Sequence, residues 1–166
     1  SWAPNGRAVL FVRGGGPNRQ GEVPNPTSAP QPAEQAIFAV DVAPENAPAE
    51  GGARRLGPAE GGARRLAAGS SPTVSVNGQV VYLSRGQVWT TNVAGTEKPA
   101  QLFTIRGGAR DLRWSPDGRA LAFVSGRGDH SFVGVYDIAA KSLKYLDPSI
   151  DLDGNPAWSP DGTRIA

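Results

Sequence analysis

The chain has no cysteine and no methionine in its 166 residues. That excludes a disulfide framework, a thiolate-bound metal and a cysteine nucleophile, and leaves the redox compartment open. Histidine occurs once, at His130, so an intact Ser-His-Asp triad could be built only around that residue. No stretch approaches the roughly eighteen apolar residues that a membrane-spanning helix needs, and the N-terminus lacks the basic-then-apolar pattern of a leader. Charge of one sign is also missing: 17 Lys and Arg stand against 15 Asp and Glu, a balance that lends a nucleic-acid role little support. What is abundant is turn chemistry, with 22 glycines and 15 prolines. They lack the three-residue period of collagen, so they belong in turns and loops. The 39% hydrophobic content is enough for a core in one domain of this length.

The turns repeat. Ser1-Trp2-Ala3-Pro4-Asn5-Gly6 leads into Arg7 to Val12, Arg113-Trp114-Ser115-Pro116-Asp117-Gly118 into Arg119 to Val124, and Ala157-Trp158-Ser159-Pro160-Asp161-Gly162 into Thr163 to Ala166. A degenerate copy, Ser75-Val76-Asn77-Gly78, precedes Gln79 to Leu83. Positions 75 and 115 lie 40 residues apart, 115 and 159 lie 44 apart, and 3 and 75 lie 72 apart, so the first unit carries an insertion. In each copy Pro presets φ, Asp or Asn bonds back to the backbone, and Gly takes the left-handed conformation that closes a hairpin. The segments that follow are apolar on successive residues, which suits a strand covered on both faces. Further strands are expected over Ala36 to Val42, Gln87 to Val93, Ala100 to Ile105, Phe132 to Ile138 and Ser142 to Leu146.

About four strands per unit of 40 to 44 residues is the pattern of a β-propeller blade. A sandwich would not generate the recurring Trp-x-Pro-x-Gly register. The expected fold is therefore all-β, a partial β-propeller of about three to four blades of four-stranded antiparallel sheet. Residues 1–66 make the first blade, 67–108 the second, 109–152 the third, and 153–166 the start of a fourth. Within the first, residues 14–35 form a long Gly- and Pro-rich insertion. Residues 47–66 hold a tandem duplication in which Pro48 to Leu56 recurs letter for letter at Pro58 to Leu66; one copy supplies a closing strand and the spare bulges outward. The chain opens within a cassette at Ser1-Trp2 and stops inside a strand at Ile165-Ala166, and so reads as a fragment.

The Trp-Ser-Pro-Asp-Gly register followed by an apolar strand resembles the WD40-like repeat of bacterial propellers, found both in TolB-type periplasmic proteins and at the N-terminus of prolyl oligopeptidase-family serine peptidases. Longer stretches point to a dipeptidyl peptidase IV-like member of the peptidase family: Phe11 to Gly15 leading to Gly21 to Pro26, Glu34 to Ile37, and Arg127-Gly128-Asp129-His130-Ser131-Phe132-Val133-Gly134-Val135-Tyr136-Asp137. The resemblance implies a propeller capping an α/β-hydrolase domain of the same parent chain. A peptide is then the substrate, the location periplasmic or secreted, and no cofactor, metal, nucleic acid or membrane is called for. This segment carries no Gly-x-Ser-x-Gly elbow and no adjacent Glu-Glu pair of the kind such dipeptidyl peptidases use to hold a substrate amine. The implied role is non-catalytic: restricting and orienting peptide access to the hydrolase. The alternative is a TolB-like interaction propeller with no enzyme attached.

Individual residues follow from that reading. No catalytic residue is expected. Asp129, His130 and Ser131 are consecutive and point in different directions, so His130 is structural. Arg127-Gly128-Asp129 matches an adhesion tripeptide but serves equally as a loop between strands. Asp151 and Asp153 fail the calcium-loop spacing and fit an inter-blade turn. Arg54, Arg55, Arg64 and Arg65 lack interleaved aromatics and suit a solvated loop. Trp2, Gly6, Trp114, Pro116, Asp117, Gly118, Trp158, Pro160, Asp161 and Gly162 are the blade motif, with the tryptophans packing between blades. The insertion is the segment most suited to contacts, and Arg19, Glu22 and Asn25 are its candidates for substrate or interdomain contact.

If each open end of such a stack leaves roughly 400 Å² of apolar surface uncovered, about 10 kcal/mol of burial is forgone per face. The isolated 166-residue chain is therefore expected to self-associate or stay partly unfolded. Sedimentation with a thermal melt checks this, and a sharp, reversible melt of a monomer would contradict it.

Overall fold

The computed structural model describes residues 1–14, 35–42, 62–148 and 150–166. Strands β1 (Ala8–Arg13), β2 (Ala36–Asp41) and β3 (Arg64–Ala68) form a three-stranded sheet. Strands β4 (Ser70–Val74), β5 (Gln79–Ser84), β6 (Gln87–Asn92) and β7 (Ala100–Phe103) form a second sheet of four. The third, also of four, comprises β8 (Gly108–Trp114), β9 (Ala120–Gly126), β10 (Ser131–Asp137) and β11 (Ser142–Tyr145). Spatial order follows chain order in every sheet and all pairings within the sheets are antiparallel. This is an all-β partial propeller, as the repeats predict.

The sheets stack face to face. β1 and β2 lie against β4, β3 against β6, and β4, β5 and β6 against β8. One core, between the first and second sheets, joins Leu10, Ile37, Ala39 and Leu66 to Val74, Val80 and Tyr82. The other joins Val81 and Val88 to Leu112, Leu121, Phe123 and Tyr136. β5 thus sends Val80 and Tyr82 one way and Val81 the other, all buried, as the two-per-turn alternation of a strand requires. In β9, Leu121 to Val124 are likewise all buried. In β5 the β-branched and aromatic residues Val80, Val81 and Tyr82 favour the pleated backbone.

Specific contacts lock one sheet to the next. Arg64 at the start of β3 makes a two-pronged ion pair with Asp41 and donates to the Val93 carbonyl from Nε and Nη2, at 3.1 and 2.8 Å. Its hydrogen bonds hold the Asp41 carboxyl below the usual range. Gln87 clamps the connector between the second and third sheets: its Nε2 donates to the carbonyls of Ile105 and Gly107 at 3.3 and 3.2 Å, and its Oε1 accepts from the Ile105 amide at 3.0 Å. Gly134 faces Phe123 across the β9–β10 pair, and the phenyl ring occupies the space that a side chain at 134 would need.

Some expected features take a different form. The Trp-bearing segment ahead of each turn, which would complete four strands per unit, is a seven-residue strand at Trp114 but only a single bridge pair at Trp2, to Val9, and at Trp158, to Ile165. The first sheet accordingly has three strands, with the Trp2 bridge standing where a fourth would run. The second copy of the duplication enters β3 through Arg64, Arg65 and Leu66, so Arg64 is part of an inter-sheet clamp and not of a solvated loop. Arg54, Arg55 and the first copy lie outside the described residues.

Replacing Gly134 by Val is expected to lower stability by about 2–3 kcal/mol, because the new side chain overpacks a core already filled by Phe123. Gly108→Ala, at a site open to solvent and with nothing near a built Cβ, should change it by under about 0.5 kcal/mol. Urea unfolding followed by tryptophan fluorescence compares the two.

Candidate functional site

Antiparallel strands in chain order put their connections alternately on two rims. The cassette turns occupy one rim. In the third unit Gly118 closes the turn at φ +70°, its amide donating to the Ser115 carbonyl at 2.9 Å. Ser115 Oγ donates to Asp117 Oδ1 at 2.7 Å and accepts from the Ala120 amide at 2.9 Å; Asp117 Oδ1 also takes the Arg119 amide at 3.0 Å. Ser159, Asp161 and Thr163 reproduce the network in the fourth unit. Both carboxyls are drawn below their ordinary value, first by the serine hydroxyl and then by the backbone amide two residues on. The degenerate turn is one residue tighter: Ser75 Oγ accepts from the Gln79 amide at 3.1 Å. In the first unit Ala3 replaces the serine, and Asn5 Oδ1 alone accepts the Arg7 amide, at 2.9 Å.

The tryptophans of the motif are not in equivalent surroundings. Trp2 is 55% exposed. Trp114 packs against the second core with its Nε1 buried and without a partner among the described residues. Trp158 donates from Nε1 to the Arg113 carbonyl at 3.0 Å and so ties the fourth cassette to β8. Pro116, Pro160, Gly6 and Gly162 sit in the turns themselves.

The opposite rim carries arginine followed by glycine at four corners: Arg13-Gly14 where β1 ends, Arg85-Gly86 between β5 and β6, Arg106-Gly107 ahead of β8, and Arg127-Gly128 after β9. The reason is local. A chain leaving a strand sharply needs a left-handed residue, and Gly14, Gly86, Gly107 and Gly128 all have positive φ. Between the last two corners lies a cleft of about 690 Å³ lined by Arg106, Gly107, Gly126, Arg127, His130 and Phe132, among others. Gly107 cannot carry a side chain, since a Cβ would fall 1.9 Å from the Gly126 carbonyl oxygen.

Arg127 is held in place. Its guanidinium lies over the rings of Phe132 and Tyr145, 5.5 and 5.4 Å from their centroids, and its Nη2 donates to the Tyr145 hydroxyl at 3.0 Å. Its Nε is buried without an acceptor among the described residues. His130 Nδ1 meets Asp129 Oδ1 at 2.7 Å, and the imidazole lies 5.0 Å from the Phe132 ring. That hydrogen bond holds the Asp129 carboxyl low. Ser131, next in sequence, turns inward: its hydroxyl donates to the Asp153 carbonyl at 2.6 Å and accepts from Arg110 Nη2 at 3.2 Å. The serine oxygen is spent on a carbonyl, so no activated nucleophile forms here. Asp151 and Asp153 lie in the link to the fourth unit, laced to Ser131 by backbone hydrogen bonds.

Arg19, Glu22 and Asn25 lie outside the described residues. β1 ends at Arg13 and β2 begins at Ala36 on the rim that bears the cleft. Sequence reading singled out the Arg127–Ser131 loop but missed Arg106, Phe132 and Tyr145 as its partners. The available signal was the recurrence of Arg-Gly at both ends of the β8–β9 hairpin.

No protein-family profile matches the chain. The Tol-Pal system protein TolB of Alcanivorax borkumensis is 38% identical over 55 residues, 32% of this chain and 12% of that protein. An uncharacterized peptidase, YuxL, of Bacillus subtilis is 41% identical over 56 residues, 33% of this chain and 8% of that one. The chain therefore spans only a small part of the curated relatives it matches. The crystal structure of TolB from Acinetobacter baumannii superposes with a TM-score of 0.62 at 20% identity, over 99% of this chain and 35% of that one. That likeness establishes the propeller fold.

Because the Asp117 carboxyl titrates lower in the folded chain than in the unfolded one, its contribution is complete above its ordinary range and is lost as pH falls through the folded value. Ser115→Ala is expected to move the Asp117 titration upward and leave Asp161 unchanged. It should also bring acid unfolding to higher pH; carboxyl-carbon NMR and a pH series of melts read both.

Proposed function

We propose that this chain is the non-catalytic propeller segment of a prolyl oligopeptidase-family serine peptidase, restricting and orienting peptides on their way to an α/β-hydrolase domain carried elsewhere in the parent. The observation that carries the reading is the splaying of Asp129, His130 and Ser131: His130 meets Asp129 while Ser131 is buried against the Asp153 carbonyl. The residues with the right chemistry for hydrolysis are thus used as loop scaffolding, beside an open cleft on a rigid stack of sheets. The 41% identity to a peptidase over 56 residues supports the same reading, as do the stretches quoted for the family resemblance.

In this role the stack supplies shape and charge, and bond cleavage belongs to the hydrolase. There a serine activated by histidine would form an acyl-enzyme stabilised in an oxyanion hole. A periplasmic or secreted location goes with this proposal. The 38% identity to a TolB over 55 residues favours a second reading, an interaction propeller with no attached enzyme.

The 166-residue chain is expected to release no product from fluorogenic peptides. The longer parent should hydrolyse them, react with a fluorophosphonate at one serine outside this segment, and show an altered peptide KM when residues 16–32 are deleted. A parent that neither labels nor cleaves, yet co-purifies stoichiometrically with a protein partner, would replace this reading with the second.

A further inference from the structure

The cleft between the connector at 104–107 and the loop at 127–130 has a chemistry that the stack itself does not require. Among the described residues the ion pairs join Arg64 to Asp41, Arg110 to Asp111, Arg119 to Asp117 and His130 to Asp129. Neither Arg106 nor Arg127 has an acidic partner among them. Arg127 rests on two aromatic rings and a tyrosine hydroxyl, an arrangement that fixes the guanidinium plane without neutralising it. Arg106 is exposed across the cleft, and its backbone carbonyl is held by Ser125 Oγ at 3.1 Å.

The walls favour a small planar anion. Gly107, Gly108, Gly126 and Gly128 line the cleft without side chains, so a ligand can approach backbone. Phe132 supplies one apolar surface. Asp129 is the nearby acid, and its carboxylate is engaged with His130. Two arginines lining a glycine-walled space have the chemistry for the fork-to-fork contact by which arginine binds carboxylate.

We propose that this cleft binds a peptide carboxylate, with Arg106 and the aromatic-mounted Arg127 as its two cationic jaws. The peptide part of this rests on the function proposed above, whereas the carboxylate part rests on the cleft alone. The carboxylate could be the C-terminus of a peptide or an internal Asp or Glu side chain, and the recognition chemistry is the same. Gln87 and Ser125 act as positioning residues that hold the 104–107 connector at its distance from Arg127.

The test uses the full chain, in the fraction that sedimentation shows to be monomeric and circular dichroism shows to be folded, and measures binding of a dye-labelled pentapeptide with a free C-terminus, the same peptide as its amide, and the amide with one internal glutamate. Glutarate and inorganic phosphate serve as small competitors. One of the two carboxylate peptides should bind at least about tenfold more tightly than the plain amide, as one or two charge-assisted hydrogen bonds imply, and which one does so identifies the source. Arg106→Gln, at an exposed side chain, and Arg127→Met, which retains packing on the rings, should each reduce that preference to under about threefold with unchanged circular dichroism. Peptides that bind equally with and without a carboxylate would overturn the cleft assignment and leave the peptide reading standing. Glutarate binding that is lost in Arg106→Gln, without binding of any peptide, would uphold the cleft and remove the peptide reading. Displacement by phosphate and not by glutarate, or carboxylate preference unchanged in both variants, would overturn the proposal.

Discussion

Two-sided burial is the constraint from which the rest of this structure follows. Neighbouring side chains on a strand point to opposite faces, so Val80, Val81 and Tyr82 in β5 cannot all leave water unless sheets lie on both sides. In β9 Leu121 to Val124 are each fully buried as well, with Leu121 and Phe123 turned to the core shared with the second sheet. β5 and β9 contain no charged residue. The stack is thus the condition under which these strands exist, and it also sets where glycine must replace a side chain. Phe123 fills the layer only because Gly134 leaves room for it.

Once both faces are committed to packing, polar chemistry is confined to the rims, and the two rims are used differently. On the cassette rim the donors and acceptors satisfy one another: serine, aspartate and backbone amides close compact networks around each turn. The other rim bears the arginine–glycine corners, and two of their arginines, Arg106 and Arg127, line one cleft. Placing recognition there and closure on the opposite side lets ligand contacts vary without disturbing the turns that register each sheet.

Much of the fold is legible in the chain because it rests on short-range rules. The Pro-Asp-Gly turns, the strands that follow them and the repeat of forty-odd residues each depend on neighbours a few positions apart. Two-sided burial is equally visible, as unbroken apolar runs without polar alternation. The site is less legible. The loop holding Arg127 and His130 stands out by composition, but its partner Arg106 comes from a connector twenty-one positions earlier, and Tyr145 from the last strand of the same sheet.

The sequence by itself determined the cassette turns, the apolar strands between them and the failure of Asp129, His130 and Ser131 to form a Ser-His-Asp arrangement with one another, because consecutive residues on a turn cannot converge on one atom. Only the tertiary structure decided which arginines are neutralised and which are free to act. Arg64 meets Asp41 across two paired strands, whereas Arg106 and Arg127 line one glycine-walled cleft without an acidic partner among the described residues. Charge pairing depends on distances set by the stacking and register of sheets, and no local pattern of residues encodes those distances.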